Sequence, residues 1–207
     1  MSEKQEETQV EETEITNLNE MPPFNPLSIL GYYHQIFLYS AIDEETTRRT
    51  CQELVAMDLN NIYTHGDDVN SYQHICLRIY SPGGYVSGGW AIIDTMRTIK
   101  TPVFTIVSGQ AASMASFITI AGDQRIALAN AKIMLHPISG GGFDYLDFIK
   151  DGVKEMERSN DAMVKFLKEK TKLGMRKNKK HLEKALHGEL YLNAQEALKL
   201  GVVDQVI

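Results

Sequence analysis

A serine and a histidine in this sequence occupy positions where side chains can carry out nucleophilic chemistry. Ser113 lies in the segment GQAASMAS, between an apolar run and an apolar helical stretch. A serine at that junction is close to free backbone N–H groups and to the positive end of the helix dipole. This environment stabilises an oxyanion if the hydroxyl attacks a carbonyl. The alternative role for Ser113 is an N-cap or a small packing residue.

A serine nucleophile needs a base, and the chain contains six histidines. His136 ends the apolar run KIMLH and is followed by Pro137, which stops a strand. A histidine at that strand end could reach the serine hydroxyl if its strand lies beside the one leading into Ser113. The alternative is a strand-end histidine with a purely structural role. The remaining histidines are expected in polar settings near early elements or on a lysine-rich late helix: His34, His65, His74, His181 and His187.

A second apolar run ends at Ser81-Pro82-Gly83-Gly84, where two glycines permit backbone dihedrals that are closed to other residues. Such a turn can direct N–H groups toward a ligand. The run Gly140–Gly142 lacks the GK[ST] ending of a phosphate-binding loop, so that alternative is weak. The lysine cluster of residues 170–184 is better explained as a solvated helix face than as a nucleic-acid contact.

Apolar strands and helical segments alternate along the chain and must position these residues. The predicted strands are QIFLYSAI, HICLRIY, VFTIV, RIALA and KIMLH. Asp43 is the predicted N-cap of a helix over 44–61, and further helices are predicted over 88–99, after Ser113, over about 144–173 and up to Gly188. A closing helix and strand (NAQEALKLGVVDQVI) complete the chain. This alternation predicts an α/β fold with a largely parallel sheet.

Composition limits the classes of protein that this chain can represent. It has 207 residues, 43% of them apolar, which favours one soluble domain. Residues 1–20 contain seven Glu and one Lys, and the other 187 residues balance at 20 acidic and 20 basic. A neutral body excludes a general nucleic-acid binder, and no apolar run is long enough to span a membrane. We expect residues 1–20 to be a disordered acidic tail and not a signal peptide, and residues 21–34 to be a docking or axial segment.

Only two cysteines occur, too few for a disulfide framework or a zinc site, so a cytoplasmic location is expected.

Five motifs in this order resemble the ClpP family, the proteolytic subunit of the ATP-dependent Clp protease. They are the SPGG turn, the run AIIDTMRTIKTPVFTI, the segment GQAASMAS, the strand KIMLHP and the closing LNAQEALKLGVVDQVI. The resemblance covers roughly residues 35–207. It implies a crotonase-like α/β fold, a spiral of β-β-α units with a protruding handle helix at about 138–173. It also implies a peptidase of family S14 that forms stacked heptameric rings, a tetradecamer, and needs no cofactor or metal.

Carried onto this sequence, the resemblance makes Ser113 the nucleophile and His136 the general base. The backbone N–H groups of Gly84 and Met114 take the oxyanion-hole places. The family's third triad member, usually an Asp, falls on Glu189. Glutamate can also orient an imidazole, but its extra methylene changes its reach. The resemblance therefore implies a serine endopeptidase of peptides and unfolded proteins with a Ser-His-Glu triad.

Two departures from the family concern partners. Cys76 and Arg78 stand where the family has aromatic side chains that help to dock an AAA+ unfoldase, and a Glu-rich tail precedes the N-terminal segment. The first alternative is a catalytically weak or inactive ClpP-like subunit that assembles into rings as a scaffold. A second alternative is a crotonase-type acyl-CoA enzyme, which would not need the Ser113–His136 pair.

Overall fold

Seven strands form one sheet within residues 34–140 and 145–207, the part of the chain that a computed structural model describes. The strands are β1 (Gln35–Leu38), β2 (Ile75–Ser81), β3 (Val103–Ala112), β4 (Gln124–Ala127), β5 (Lys132–Leu135), β6 (Leu190–Asn193) and β7 (Gln205–Val206). The helices are α1 (Glu44–His65), α2 (Val86–Thr98), α3 (Met114–Ala121), α4 (Leu146–Lys170), α5 (Lys179–His187) and α6 (Ala194–Lys199). The predicted acidic tail, residues 21–33 and Gly141–Gly142 lie outside the described residues.

The sheet is parallel in the order β1-β2-β3-β4-β7 and branches at its longest strand. The first half of β3 pairs with β4, while its last three residues pair with β5 in parallel. Strand β6 then adds to β5 in antiparallel orientation. The predicted α/β fold with a largely parallel sheet is confirmed. The branch brings the end of β3, which leads into Ser113, beside β5, which is followed directly by His136.

Helices α1, α2 and α3 pack against the sheet and against one another, and α3 lies within the buried core. Alternate residues of β2 are fully buried: Ile75, Leu77 and Ile79. Helix α3 is buried along almost its whole length, from Met114 to Ile120. A helix that is apolar all round must be enclosed by other elements, and here the sheet, α2 and α4 enclose it. The residue that precedes α3 is therefore attached to a helix that is enclosed by the core.

Helix α1 begins at the predicted N-cap. The Asp43 carboxylate accepts a hydrogen bond from the Thr46 N–H at 2.7 Å, and this bond lowers the pKa of the Asp43 carboxyl. Glu44 and Glu45 occupy the first turn, where the helix dipole favours acidic side chains. The helix continues to His65, one turn beyond the predicted end.

Arg125 joins the end of α4 to the last strands. Its Nε donates to Asp204 Oδ2 at 2.8 Å, and its Nη1 donates to the carbonyl oxygens of Lys170 at 2.9 Å and Gly201 at 3.0 Å. Hydrogen bonding to the guanidinium lowers the pKa of the Asp204 carboxyl. This cluster fixes the base of α4, the helix that corresponds to the predicted handle.

Two strands and the burial of one histidine differ from the sequence predictions. Strand β3 continues beyond VFTIV through small residues to Ala112, because β2 and β5 pair with that extension. Strand β6 was not predicted. The side chain of His34, expected in a polar setting, is buried and hydrogen-bonded: burial lowers the pKa of the imidazole, although Nδ1 donates to the Gln73 carbonyl oxygen at 3.1 Å.

Candidate active site

Ser113 occupies a sharp turn between β3 and α3. Its φ of +54° and ψ of −129° lie in a region that residues other than glycine rarely adopt. Backbone strain of this kind is stored where the surrounding structure determines the conformation. Two groups do so here: the Ser113 N–H donates to the Met134 carbonyl oxygen at 2.8 Å, and the buried Ser116 Oγ lies 2.7 Å from the same oxygen. The turn is thereby attached to β5.

The side chains of Ser113 and His136 meet at this turn. His136 Nε2 lies 2.8 Å from Ser113 Oγ, within hydrogen-bond distance. With a proton on Nδ1, Nε2 is the acceptor and can take the hydroxyl proton as the serine attacks. The register of β3 and β5 explains the contact, because Ala112 lies opposite Met134 and both strands end directly after this pair.

The glycine turn packs against the same place. A Cβ on Gly83 would lie 2.7 Å from Ser113 Cβ and 3.0 Å from the Met114 backbone nitrogen. Gly83 has a φ of +90° and Gly84 a φ of +152°, and a Cβ on Gly84 would collide with the Ile42 carbonyl oxygen. Both positions therefore require glycine, for close approach and for backbone conformation.

Two backbone N–H groups at this site lack a secondary-structure acceptor. Met114 is the first residue of α3, so its N–H has no intrahelical partner. The bridge between Ile42 and Gly84 uses the Gly83 carbonyl oxygen and the Tyr85 N–H, which leaves the Gly84 N–H outside that ladder. The N–H groups of both predicted oxyanion-hole residues are therefore not used by the helix or by the bridge, and their binding of an oxyanion stays a prediction.

An apolar cavity of about 600 Å³ lies between α4 and the segments that follow the glycine turn and His136. Its wall includes Val86, which follows the glycine turn, and Ile138, which lies two residues after His136. The opposite wall belongs to α4 and contains Phe148, Ile149, Val153 and Met156. A concave and mostly apolar site of this kind is suited to the side chains of a peptide.

Comparison with known proteins identifies the family of this chain. A family model described as Clp protease matches residues 23–207. The chain belongs to the Clp protease family. It is also 39% identical over 143 residues to the ATP-dependent Clp protease proteolytic subunit of Deinococcus radiodurans, an overlap that covers 68% of each chain. The resemblance drawn from the motifs is confirmed, and the chain is a Clp-type serine protease.

The third predicted triad residue lies near the pair without contacting the imidazole. Continuing the antiparallel register of β5 and β6 by one residue places Glu189 opposite His136. The Glu189 side chain is exposed, and its Oε2 accepts a hydrogen bond from the Tyr191 hydroxyl at 2.8 Å. Within the described residues, no hydrogen bond joins His136 Nδ1 to any group. The role of Glu189 in this Clp protease stays a prediction.

The other five histidines lie away from Ser113. His34 is buried beside the Gln73 carbonyl, and the His74 ring stacks on Phe104 with centroids 4.2 Å apart. The remaining three, His65, His181 and His187, are exposed on helices. Among the histidines, all of which the structure describes, only His136 contacts the serine.

Sequence reasoning did not identify two residues that shape the site. Ser116 holds the turn to β5, and its only signal in the sequence is a small polar residue three positions after Ser113 in a mostly apolar helix. Tyr191 binds Glu189, and no signal pointed to it because β6 was not predicted. Within the part of the chain that is described, no group of three or more His, Cys, Asp or Glu side chains could hold a metal ion. No helix there is long and apolar enough to cross a membrane.

Proposed function

We propose that this protein is the proteolytic subunit of a self-compartmentalising Clp-type protease and cleaves peptides and unfolded proteins as a serine endopeptidase. The observation that carries the proposal is the 2.8 Å approach of His136 Nε2 to the hydroxyl of a strained Ser113 between a strand and a helix. That arrangement combines a nucleophile, its base and adjacent backbone donors.

The reaction begins when Ser113 Oγ attacks the scissile carbonyl and His136 Nε2 takes its proton. The N–H groups of Gly84 and Met114 bind the oxyanion of the tetrahedral intermediate. His136 then donates the proton to the leaving amine. In the second half of the reaction water attacks the acyl carbonyl and gives a proton to His136, which returns it to Ser113 Oγ as the bond to the serine breaks. Glu189 accepts the Nδ1–H of the imidazole and stabilises its cation, which completes the triad.

Assembly into stacked heptameric rings is supported by the surface of α4. Phe148 is 65% exposed, Ile149 40% and Val153 49%. Apolar side chains clustered on one helix favour contact with another surface. A second copy of the chain is the expected partner, and sedimentation at micromolar concentration should show a species far larger than the 23.3 kDa chain. A single 23.3 kDa species would contradict assembly.

An AAA+ unfoldase is the proposed partner for protein substrates. The name of the Deinococcus relative, an ATP-dependent protease subunit, supports this partner. The half-buried Cys76 and Arg78 lie on one face of β2, where Arg78 Nε donates to Gln35 Oε1 at 2.8 Å. A docking surface that contains a charged arginine would bind an unfoldase loop of different chemistry from the loop that binds an aromatic surface. A cytoplasmic location also remains a prediction.

The second candidate function is a ring-forming scaffold subunit with little or no activity. The observation in its favour is the hydrogen bond of Glu189 to Tyr191 in place of His136. If the imidazole had no carboxylate partner during catalysis, turnover would be low.

A fluorophosphonate probe separates the two candidates. The assembled protein is treated with the probe, digested and analysed by mass spectrometry. The protease should be labelled at Ser113 and should hydrolyse a short fluorogenic peptide, and Ser113→Ala should lose both properties. Ser108→Ala, on the strand β3 that leads into Ser113, is a matched control. An assembled protein that is neither labelled nor active is a scaffold.

A further inference from the structure

Tyr191 and Glu189 lie on the same face of the sheet as His136. Residues two apart on a strand point to the same side, and Leu190 and Leu192 between them are buried on the opposite side. In the antiparallel pair Tyr191 faces Met134, and one step further Glu189 faces His136. Side chains directly opposite in such a pair have Cβ atoms about 4.5–5.5 Å apart, so Glu189 starts within reach of the imidazole.

The position of the Glu189 carboxylate is determined by its side-chain conformation and not by the backbone of a strand. Glu189 precedes the first residue of β6 and follows Gly188, which ends α5, so its own backbone lies outside the strand. A glutamate has one more rotatable bond than the aspartate usual in the family, and an exposed side chain samples several rotamers. The Tyr191 hydroxyl restrains this freedom by its 2.8 Å hydrogen bond to Oε2.

A carboxylate can satisfy two donors at the same time. Each oxygen has two acceptor sites, so Oε1 is available when Oε2 is bound to a hydroxyl. The hydrogen bond to Glu189 also raises the pKa of the Tyr191 phenol, which keeps the hydroxyl protonated as a donor. Tyr191 and an imidazole N–H can therefore share the Glu189 carboxylate without competing for one oxygen.

We propose that Tyr191 is a positioning residue for Glu189, whose hydroxyl holds one carboxylate oxygen so that the other is directed to His136 Nδ1. The inference rests on the proposed function, because it assigns Tyr191 a part in the same serine peptidase site. Tyr191 offsets the flexibility that the longer acidic side chain introduces. It acts through Glu189 and touches neither the substrate nor the serine.

The test is the Tyr191→Phe enzyme, which loses only the hydroxyl of a side chain that is 59% exposed. We expect kcat for a fluorogenic peptide to fall about fivefold to tenfold, the effect of one hydrogen bond, with KM unchanged. Because the effect passes through Glu189, the same substitution in a Glu189→Ala background should change nothing. Rates of Ser113 labelling by a fluorophosphonate provide the measurement in that slower background. Tyr63→Phe, which alters a tyrosine that is 92% exposed on α1, is the matched control.

Three results would overturn the inference. A Tyr191→Phe enzyme as fast as the parent means that the hydroxyl does not position Glu189, and a faster one means that Tyr191 withholds the carboxylate from His136. An equal loss in the parent and Glu189→Ala backgrounds means that Tyr191 acts on stability and not through Glu189. In each case an active parent leaves the proposed function intact. A parent that is neither labelled at Ser113 nor active removes the proposed function and the inference together.

Discussion

Ser113 and Glu189 belong to the same candidate triad but are held in opposite ways. The serine lies in a strained turn that is fixed by its own N–H, by the buried Ser116 and by Gly83 packed against it. The glutamate is exposed, precedes a four-residue strand and is held by one tyrosine hydroxyl. Backbone geometry determines where Ser113 lies, whereas a side-chain hydrogen bond determines where the Glu189 carboxylate lies. Substitutions at the two ends should therefore differ in kind as well as in size.

His136→Ala should have the largest effect, because the base acts on the rigid end of the triad. We expect kcat/KM to fall by a factor on the order of 10⁴ or more, as when a member of a serine–histidine pair is removed. Stopped assays with a fluorogenic peptide measure this loss.

His187→Ala changes an exposed histidine at the end of α5 and should leave the rate unchanged. An active His136→Ala enzyme would mean that another group removes the serine proton.

Glu189→Gln should have the next largest effect and tests the flexible end. An amide in place of the carboxylate favours the wrong tautomer of the imidazole, so we expect kcat to fall about 10²- to 10⁴-fold. Because Glu189 is exposed, thermal stability and ring assembly should not change. Glu196→Gln, which alters an exposed glutamate on α6, is the control for the charge. Turnover at the parental rate would show that the triad is incomplete or contains another acid.

Gly83→Ala should damage the rigid end through the backbone. The new Cβ would lie 2.6 Å from the Ala112 carbonyl oxygen, and the φ of +90° is unfavourable for alanine. We expect a loss of about 2–4 kcal/mol in the free energy of unfolding, together with reduced activity. Chemical denaturation and the peptide assay measure the two effects.

Gly66→Ala tests the effect of an unfavourable φ without a steric collision of the new Cβ. Gly66 also has a positive φ, +61°, but nothing lies within 4 Å of its Cβ position. Its substitution should cost only about 1–2 kcal/mol and leave activity intact. Equal losses at Gly66 and Gly83 would contradict close packing of the glycine turn on Ser113.

Asp204→Asn should have the smallest effect. It removes the carboxylate that binds Arg125, which belongs to neither end of the candidate triad. Arg125 depresses the pKa of the Asp204 carboxyl in the folded protein, so the ionised form stabilises the fold. This contribution is complete above the ordinary carboxyl pKa of about 3.9 and is lost as the pH falls through the lower folded value. Because the carboxylate is partly exposed, we expect about 1 kcal/mol or less at pH 7 and no change in kcat.

Thermal denaturation at pH 7 and at pH 3 checks this sign, since the difference between parent and variant should shrink at the lower pH. Glu45→Gln, in an exposed pair with Arg48, is the control for a surface ion pair. A difference that grows toward pH 3 would contradict the assignment.

The rigid end of the site was predictable from sequence and the flexible end was not. Small residues between an apolar strand and an apolar helix indicate a tight turn, and Pro137 marks the end of the strand that carries His136. Local sequence rules encode such features. The pairing of Tyr191 with Glu189 depends on β6, a four-residue strand whose formation requires β5 as a partner. Short strands of this kind have little intrinsic preference and form through tertiary contacts.

The end of β3 was missed for a related reason. Ser108–Ala112 are small or polar residues with weak strand propensity, yet β2 and β5 draw them into the sheet. His34 illustrates the same limit, because its polar neighbours in the sequence did not predict a buried side chain. Pairing partners distant in sequence override local preference at each of these places.

The branching of β3 gives its two halves different partners. Substitutions in the first half should affect thermal stability, and substitutions in the second half should affect turnover. Residues 104–107 pair with β4 within the main sheet, whereas residues 110–112 pair with β5 and lead into Ser113. Substitutions that raise the melting temperature can therefore be sought along the first half of the strand without changing catalytic geometry. The second half offers no such freedom. We therefore expect thermal stability and turnover rate to respond almost independently to substitutions in the two halves of β3.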